Sequence, residues 1–341
     1  MSNDSRISPI QQVETVTGSI APEELGRTLM HEHLTAGFAG FEAHTNRPGQ
    51  TFDERVAICV DQIHRLKDLG ITSMLDPCPN DLGREVELMA KVSQDTRFNI
   101  VFATGLYKES TSGSAYWKFR ANFGGDQSEA MAELFVHELT DGVGETGIKA
   151  GIIKVASDAH QITDYEMTIL EAAAMASNET GAPITTHTDE GTMGDEQQRI
   201  LTSLGVPAHR IIIGHCCATD DHDYHMHIAR EGSYLGFDRF GLETVHPDAN
   251  RIESLVRLIR QGAGDRIVVS NDSVWCWRGE YFEPKMTQRM TELFDPTHFT
   301  RNVMPQLLAA GITQKQLDTI LVDNPRRFFS GEVLASNFEP L

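Results

Sequence analysis

Basic side chains are scarce in this chain: 29 lysines and arginines stand against 49 aspartates and glutamates, for a formal charge of -20. A surface of that sign repels a phosphate backbone and an anionic lipid face, so neither nucleic acid nor membrane is expected as a partner. Long apolar runs are missing too. No stretch approaches the length of a membrane span, and the opening MSNDSRISPI lacks the apolar core of a secretory signal, which leads to the expectation of a cytoplasmic protein. Cysteine is sparse and odd in number. Cys59, Cys78, Cys216, Cys217 and Cys276, two of them adjacent, argue against a disulfide framework and for reduced thiols. No Pro/Gly/Ser-rich linker or break in composition divides the sequence, so residues 1–341 are read as one domain.

What is present is a rhythm. Eight β-rich runs follow one another: RTLMHEH, ITSMLDP, NIVFATGLY, AGIIKVAS, APITTHT, RIIIGHC, SYLGFDRF and RIVVSND. Between them lie segments such as ERVAICVDQIHRLKDLG and MTILEAAAMASNETG, whose apolar residues recur at three- and four-residue spacing and which end at glycine. Strand and helix in strict alternation predict a parallel sheet closed into an α/β barrel of the (β/α)8 TIM type. The alternating QQVETVTGSIAPEELG predicts a small N-terminal β-hairpin. After the eighth run, WCWRGEYFEPKMTQRMTELFDPTHF reads as a loop with a helix, followed by extra C-terminal helices through MPQLLAAG and TQKQLDTILVDNPRRFF. The acidic DDHDYHMHIAR, with His222, His225 and His227, reads as a solvated helix face, with a secondary metal site as the alternative.

Polar residues fall where barrel strands end, the face on which such folds place their chemistry. The first run ends in His31 and His33, two positions apart, so a strand would aim both rings the same way. Glu32 between them points the other way and is expected to be a structural hydrogen-bonder. Run four carries Lys154, run five ends at His187, run six at His215, run seven offers Asp238 and Arg239, and run eight closes with Asp272. Four histidines and an aspartate on one mouth supply ligands suited to zinc or a similar divalent ion. A lysine among them loses its charged form by desolvation and repulsion, and its freed amine can react with carbon dioxide to give a metal-bridging carbamate.

The ordered set MHEH, TGIKAGIIKVA, TGAPITTHT, IIIGHC, IVVSND and LVDNPRRFF resembles the phosphotriesterase family of the amidohydrolase superfamily, over residues 16–330. That resemblance implies two divalent cations per chain, zinc first with cobalt, manganese or iron as substitutes. His31, His33 and Asp272 would hold one, His187 and His215 the other, and N6-carboxylated Lys154 would bridge them with a hydroxide. It further implies a small-molecule substrate and a homodimer. ATGLY, ending in Tyr107, and GSYLGFDRFGLE are similar to the family's lactonase branch. By that analogy Tyr107 and Arg239 position the substrate, Asp238 lies near the hydroxide, and Asp272 moves the proton. The reaction expected is the opening of N-acyl-homoserine or related lactones by the metal-bridging hydroxide, with promiscuous triesterase activity. The alternatives are a true aryldialkylphosphatase, a phosphorylated sugar-lactone hydrolase, and a non-catalytic metal-binding barrel.

Three features depart from the lactonase pattern. The eighth run ends SND, a form closer to the phosphotriesterases proper; Trp275 and Trp277 stand in the loop that shapes the leaving-group or acyl-chain pocket; and Asp189 and Glu190 follow a metal ligand where small or neutral residues are expected. Lys108, Lys118 and Arg120, in the loop after run three, read as solvated rim charges, or as a phosphate-binding set if they turn inward.

Overall fold

Short runs of β-branched residues, each followed by an amphipathic helix, set the frame. The computed structural model describes residues 12–44, 49–111, 114–279 and 283–334. An antiparallel hairpin comes first, β1 (Val13–Thr15) with β2 (Gly18–Ile20), as the alternation predicts. The first barrel strand is β3 (Thr28–Leu29), and its continuation β4 (His33–Ala36) follows a break at residues 30–32. The remaining barrel strands are β5 (Ser73–Asp76), β6 (Asn99–Gly105), β7 (Ile152–Lys154), β8 (Ile184–Thr185), β9 (Ile211–Ile213), β10 (Tyr234–Phe237) and β11 (Ile267–Val269). Each pairs in parallel with the next, in the order β3-β5-β6-β7-β8-β9-β10-β11. The ring closes where Met30 N–H donates to Val269 O at 3.1 Å. All eight runs read from the sequence are barrel strands.

The helices between them are α1 (Phe52–Asp68), α2 (Val86–Thr96), α3 (Ser114–Ala121), α4 (Gln127–Thr140), α5 (Asp164–Thr180), α6 (Gly194–Ser203), α7 (His222–Arg230) and α8 (Asp248–Arg260). Sequence fixes their ends. Thr51 with Glu54, and Thr163 with Glu166, form capping boxes that satisfy the first free N–H groups of α1 and α5. Gly181, at φ 75°, ends α5 in the left-handed conformation. Among the described residues no helix is long and apolar enough to cross a membrane.

Two apolar layers hold the barrel. Met30, Leu75, Val101, Ala103, Ile152, Ile212 and Val268 fill its interior, and a larger layer packs between the strands and the helices. Each buried aliphatic side chain contributes roughly 1.5–3 kcal/mol over its exposed state. Because the interior is filled, polar groups at the strands' carboxyl ends gather above it rather than within it.

One stretch departs from expectation. The residues after the eighth strand begin with a further strand, β12 (Val274–Trp277), which lies parallel to β4 and pairs Val274 with His33. Beyond it come α9 (Pro284–Leu293), α10 (Met304–Ala309), α11 (Gln314–Asp318) and α12 (Asn324–Ser330), the last two joined by a π-helical turn at Thr319–Asp323 into one continuous run.

Candidate metal centre

His31 and His33 do converge, although the strand breaks between them, and Glu32 turns away as expected. Its buried carboxylate accepts from Ser270 Oγ at 2.8 Å, from Asn271 N and Nδ2 at 2.8 and 2.9 Å, and from Ser273 Oγ. Burial lifts its pKa to about 7 against the pull of those donors. Glu32 thereby ties the first strand to the end of the eighth, the segment that carries Asp272.

Asp272 is the hub, placed by a backbone in the left-handed region (φ 52°). Its Oδ1 lies 3.4 Å from His31 Nε2 and 3.3 Å from His33 Nε2, and its Oδ2 lies 3.8 Å from His215 Nε2. Arg239 Nε donates to Oδ2 at 2.8 Å. Burial opposes ionisation of Asp272, but the surrounding groups, the Arg239 guanidinium and His33 among them, outweigh it and hold the carboxyl well below its usual range.

Carboxylates behind the histidines set which nitrogen faces the mouth. Asp238 accepts from His31 Nδ1 at 3.1 Å, from His215 Nδ1 at 2.8 Å and from the His215 backbone N–H at 3.0 Å. Asp76 Oδ1 lies 3.5 Å from His33 Nδ1. Three rings therefore present Nε2. Asp238, which the family analogy places near the hydroxide, bonds two of the rings as their orienting partner. Asp76 is a site residue that sequence reasoning missed, although LDPCP ends a strand by the same logic as the other ligands. Tyr107 Oη approaches the ring edge of His187, 3.4 Å from each nitrogen. Lys154 Nζ lies 3.5 Å from His31 Nε2 and 3.3 Å from Thr186 O.

The protonation states fit a cation-binding site. Burial, with Lys154 nearby, lowers His31 to about 4. Burial lowers His187 to about 3, and burial with Arg239 takes His215 well below its usual value. These rings are neutral and ligand-ready. Burial also opposes a charge on His33, yet the carboxylates of Asp272 and Asp76 outweigh it and raise its pKa well above the ordinary value. Positive charge is thus called for at the spot where a metal would place it. Burial lowers Lys154 to about 8, which makes its neutral amine accessible. Ligand-capable atoms of His31, His215 and Asp272 lie within 4.8 Å of one another, as do those of His33, Asp76 and Cys78.

At the rim, Lys118 and Arg120 are exposed, as read from the sequence, while Lys108 is partly buried. Lys108 binds Asp189 and lies 3.1 Å from Asp158, Lys118 pairs with Glu109, and Arg120 stacks over Trp117. Each of the three therefore has a protein partner. Trp277 faces Phe38 and Phe294, while buried Trp275 donates its indole N–H to Ser273 Oγ at 2.8 Å. In the His-rich helix, His225 turns inward to Cys216 O at 2.7 Å and His222 bonds Gln261, so they do not converge on a common ion. All five cysteines are free and buried, as expected of reduced thiols.

A (β/α)8 barrel whose strand ends gather neutral imidazoles, a carboxylate and a desolvated lysine defines the class of metal-assisted barrel hydrolases. Family comparison matches the phosphotriesterase family over residues 11–329. The chain is 35% identical over 321 residues to an aryldialkylphosphatase of Saccharolobus solfataricus, covering 92% of this chain and 97% of that one. Among solved structures it is similar to an organophosphorus hydrolase from Deinococcus radiodurans, with a TM-score of 0.90, 37% identity, and coverage of 96% of this chain and 100% of that one. It is also similar to a variant of a PTE-like lactonase from that organism, with a TM-score of 0.89, 37% identity, and coverage of 93% and 99%. The chain belongs to the phosphotriesterase family, and it is a hydrolase acting on ester bonds.

Proposed function

We infer that this hydrolase opens lactones, N-acyl-homoserine lactones or related rings, at a binuclear centre, with weaker triesterase activity. The observation that carries the reading is Tyr107: its hydroxyl stands at the mouth beside His187, and burial raises its pKa so that it stays a donor. His31, His33 and Asp272 would hold one cation, zinc in the first instance, and His187 and His215 the other. Lys154 would bridge them as a carbamate, formed when its neutral amine adds carbon dioxide and releases one proton. When bound, the metals supply Lewis acidity to the scissile oxygen and acidify water.

The chain's own residues do the rest. Asp272, ionised and steadied by Arg239, takes the proton of the attacking water and returns it to the leaving alkoxide. Tyr107 donates toward the developing oxyanion. The guanidinium of Arg239 orients the ring, and Trp277 with Phe38 walls the acyl chain. A homodimer in solution is part of the same proposal, and light scattering during size-exclusion chromatography tests it.

The second reading, a true aryldialkylphosphatase, is favoured by the SND ending and by the Saccharolobus relative. The deciding experiment assays zinc- and cobalt-loaded protein on acyl-homoserine lactones, simple γ- and δ-lactones and paraoxon-like triesters, with metal analysis alongside. The expected result is about two ions per chain and a higher kcat/KM for a lactone. A triester that outperforms every lactone overturns the reading. An unmodified Lys154 ammonium in the metal-loaded crystal removes the carbamate from it.

A further inference from the structure

The fourth histidine is held unlike the other three. His187 Nε2 bonds Asp189 Oδ1 at 2.7 Å, whereas His31, His33 and His215 direct Nδ1 to a carboxylate. An ionised carboxylate only accepts, so Nε2 of His187 carries the proton and Nδ1 is left with the lone pair. Asp189 does not act as a local turn cap. The turn that follows it uses its backbone carbonyl, which accepts from Thr192 N and Oγ1 at 3.0 Å each. Its second carboxylate oxygen reaches Lys108, from the loop after β6, and Lys108 also reaches Asp158, from the loop after β7. Glu166 braces both flanks, since its buried Oε1 accepts from the backbone N–H groups of Glu109 and Asp158, each at 3.2 Å.

We propose that Asp189 is a positioning residue that turns His187 to bind metal through Nδ1, and that Lys108 clamps it there by joining three successive loops of the mouth. The proposal rests on the binuclear reading above. A carboxylate bonded to the distal nitrogen fixes the ring, raises its basicity and increases metal affinity. The clamp also explains the departure noted in the sequence. An aspartate two residues beyond a ligand would compete with substrate for the cation if it were loose. With one oxygen on Lys108 and the other on the His187 ring, both of its oxygens are engaged, and it acts through the ring.

The test loads wild-type protein, Asp189→Asn, Asp189→Ala and Lys108→Met with zinc or cobalt, then challenges each with a chelator of known affinity while following metal content and the cobalt absorption spectrum. In the expected result wild type retains two ions, and both Asp189 variants release one of them about 10- to 100-fold more readily, with an altered cobalt spectrum. Lys108→Met shifts release of the same ion in the same direction by less, and circular dichroism stays that of the wild type. If Asp189→Ala fails to fold, Asp189→Asn and Lys108→Met carry the decision. Wild-type retention and spectrum in the folded variants overturn the proposal. Fewer than two ions in wild type itself is a separate outcome, and it overturns the binuclear reading and the clamp together.

Discussion

Tyr107 brings a hydroxyl that stays protonated across the working pH range, because burial pushes its pKa up. A donor that matters mainly in the transition state shows itself in kcat rather than KM. Tyr107→Phe is therefore expected to lower lactonase kcat on the order of 10²-fold, with a smaller effect on residual triester hydrolysis, as steady-state kinetics on both substrates would record. Equal losses would make Tyr107 a wall of the pocket. At this scale the convergence of the candidate ligands was legible as a set, because each alone has an ordinary structural role and only their joint placement at successive strand ends points to one site. Asp76 was missed, and while Asp238 and Arg239 were read as site residues, their contacts were not: Asp238 sits behind two rings, and Arg239 reaches Asp272, 33 positions away. None of these relations leaves a local pattern.

Strands were legible as elements because each is a β-branched run between amphipathic helices, and periodicity reports that directly. The added strand β12 was not, since WCW pairs only with β4, a partner remote in sequence. The break in the first strand was equally hidden, since at the break His31 O accepts from Asp272 N at 3.0 Å, a partner remote in sequence. Glycine marks the tightest approach between elements. Gly105 ends β6 at φ 130°, and a Cβ there would stand 1.9 Å from Lys154 O on β7. Gly105→Ala is expected to push β7 outward, at a cost of roughly 1–3 kcal/mol, and to displace Lys154. Thermal unfolding and metal content together check it, and a variant normal in both would show that the sheet absorbs the methyl group.

Across the whole molecule, histidine burial sets the response to acid. In the metal-free protein His31, His187, His209, His215 and His225 all titrate below their ordinary value, with burial the largest cause, while His33 alone is shifted upward. Their unfolded counterparts take protons near 6.5, so between there and about 4, where His31 titrates, the unfolded chain binds more protons than the folded one. The contribution of these five rings is then full above about 6.5 and declines as pH falls through that window. The melting temperature of chelator-treated protein should drop between pH 7.5 and 5, and a flat or rising profile would contradict the neutral rings. The latch formed by Glu32 has a further consequence, for the order of events during synthesis. Ser270, Asn271 and Ser273 leave the ribosome some 240 residues after the glutamate they hold. Until they do, the ring has an open seam, His31 and His33 lack Asp272, and unpaired edges at β3 and at the growing strand invite wrong partners. Closure of the seam, and the meeting of Asp272 with His31 and His33, is thereby deferred until the eighth strand has been made.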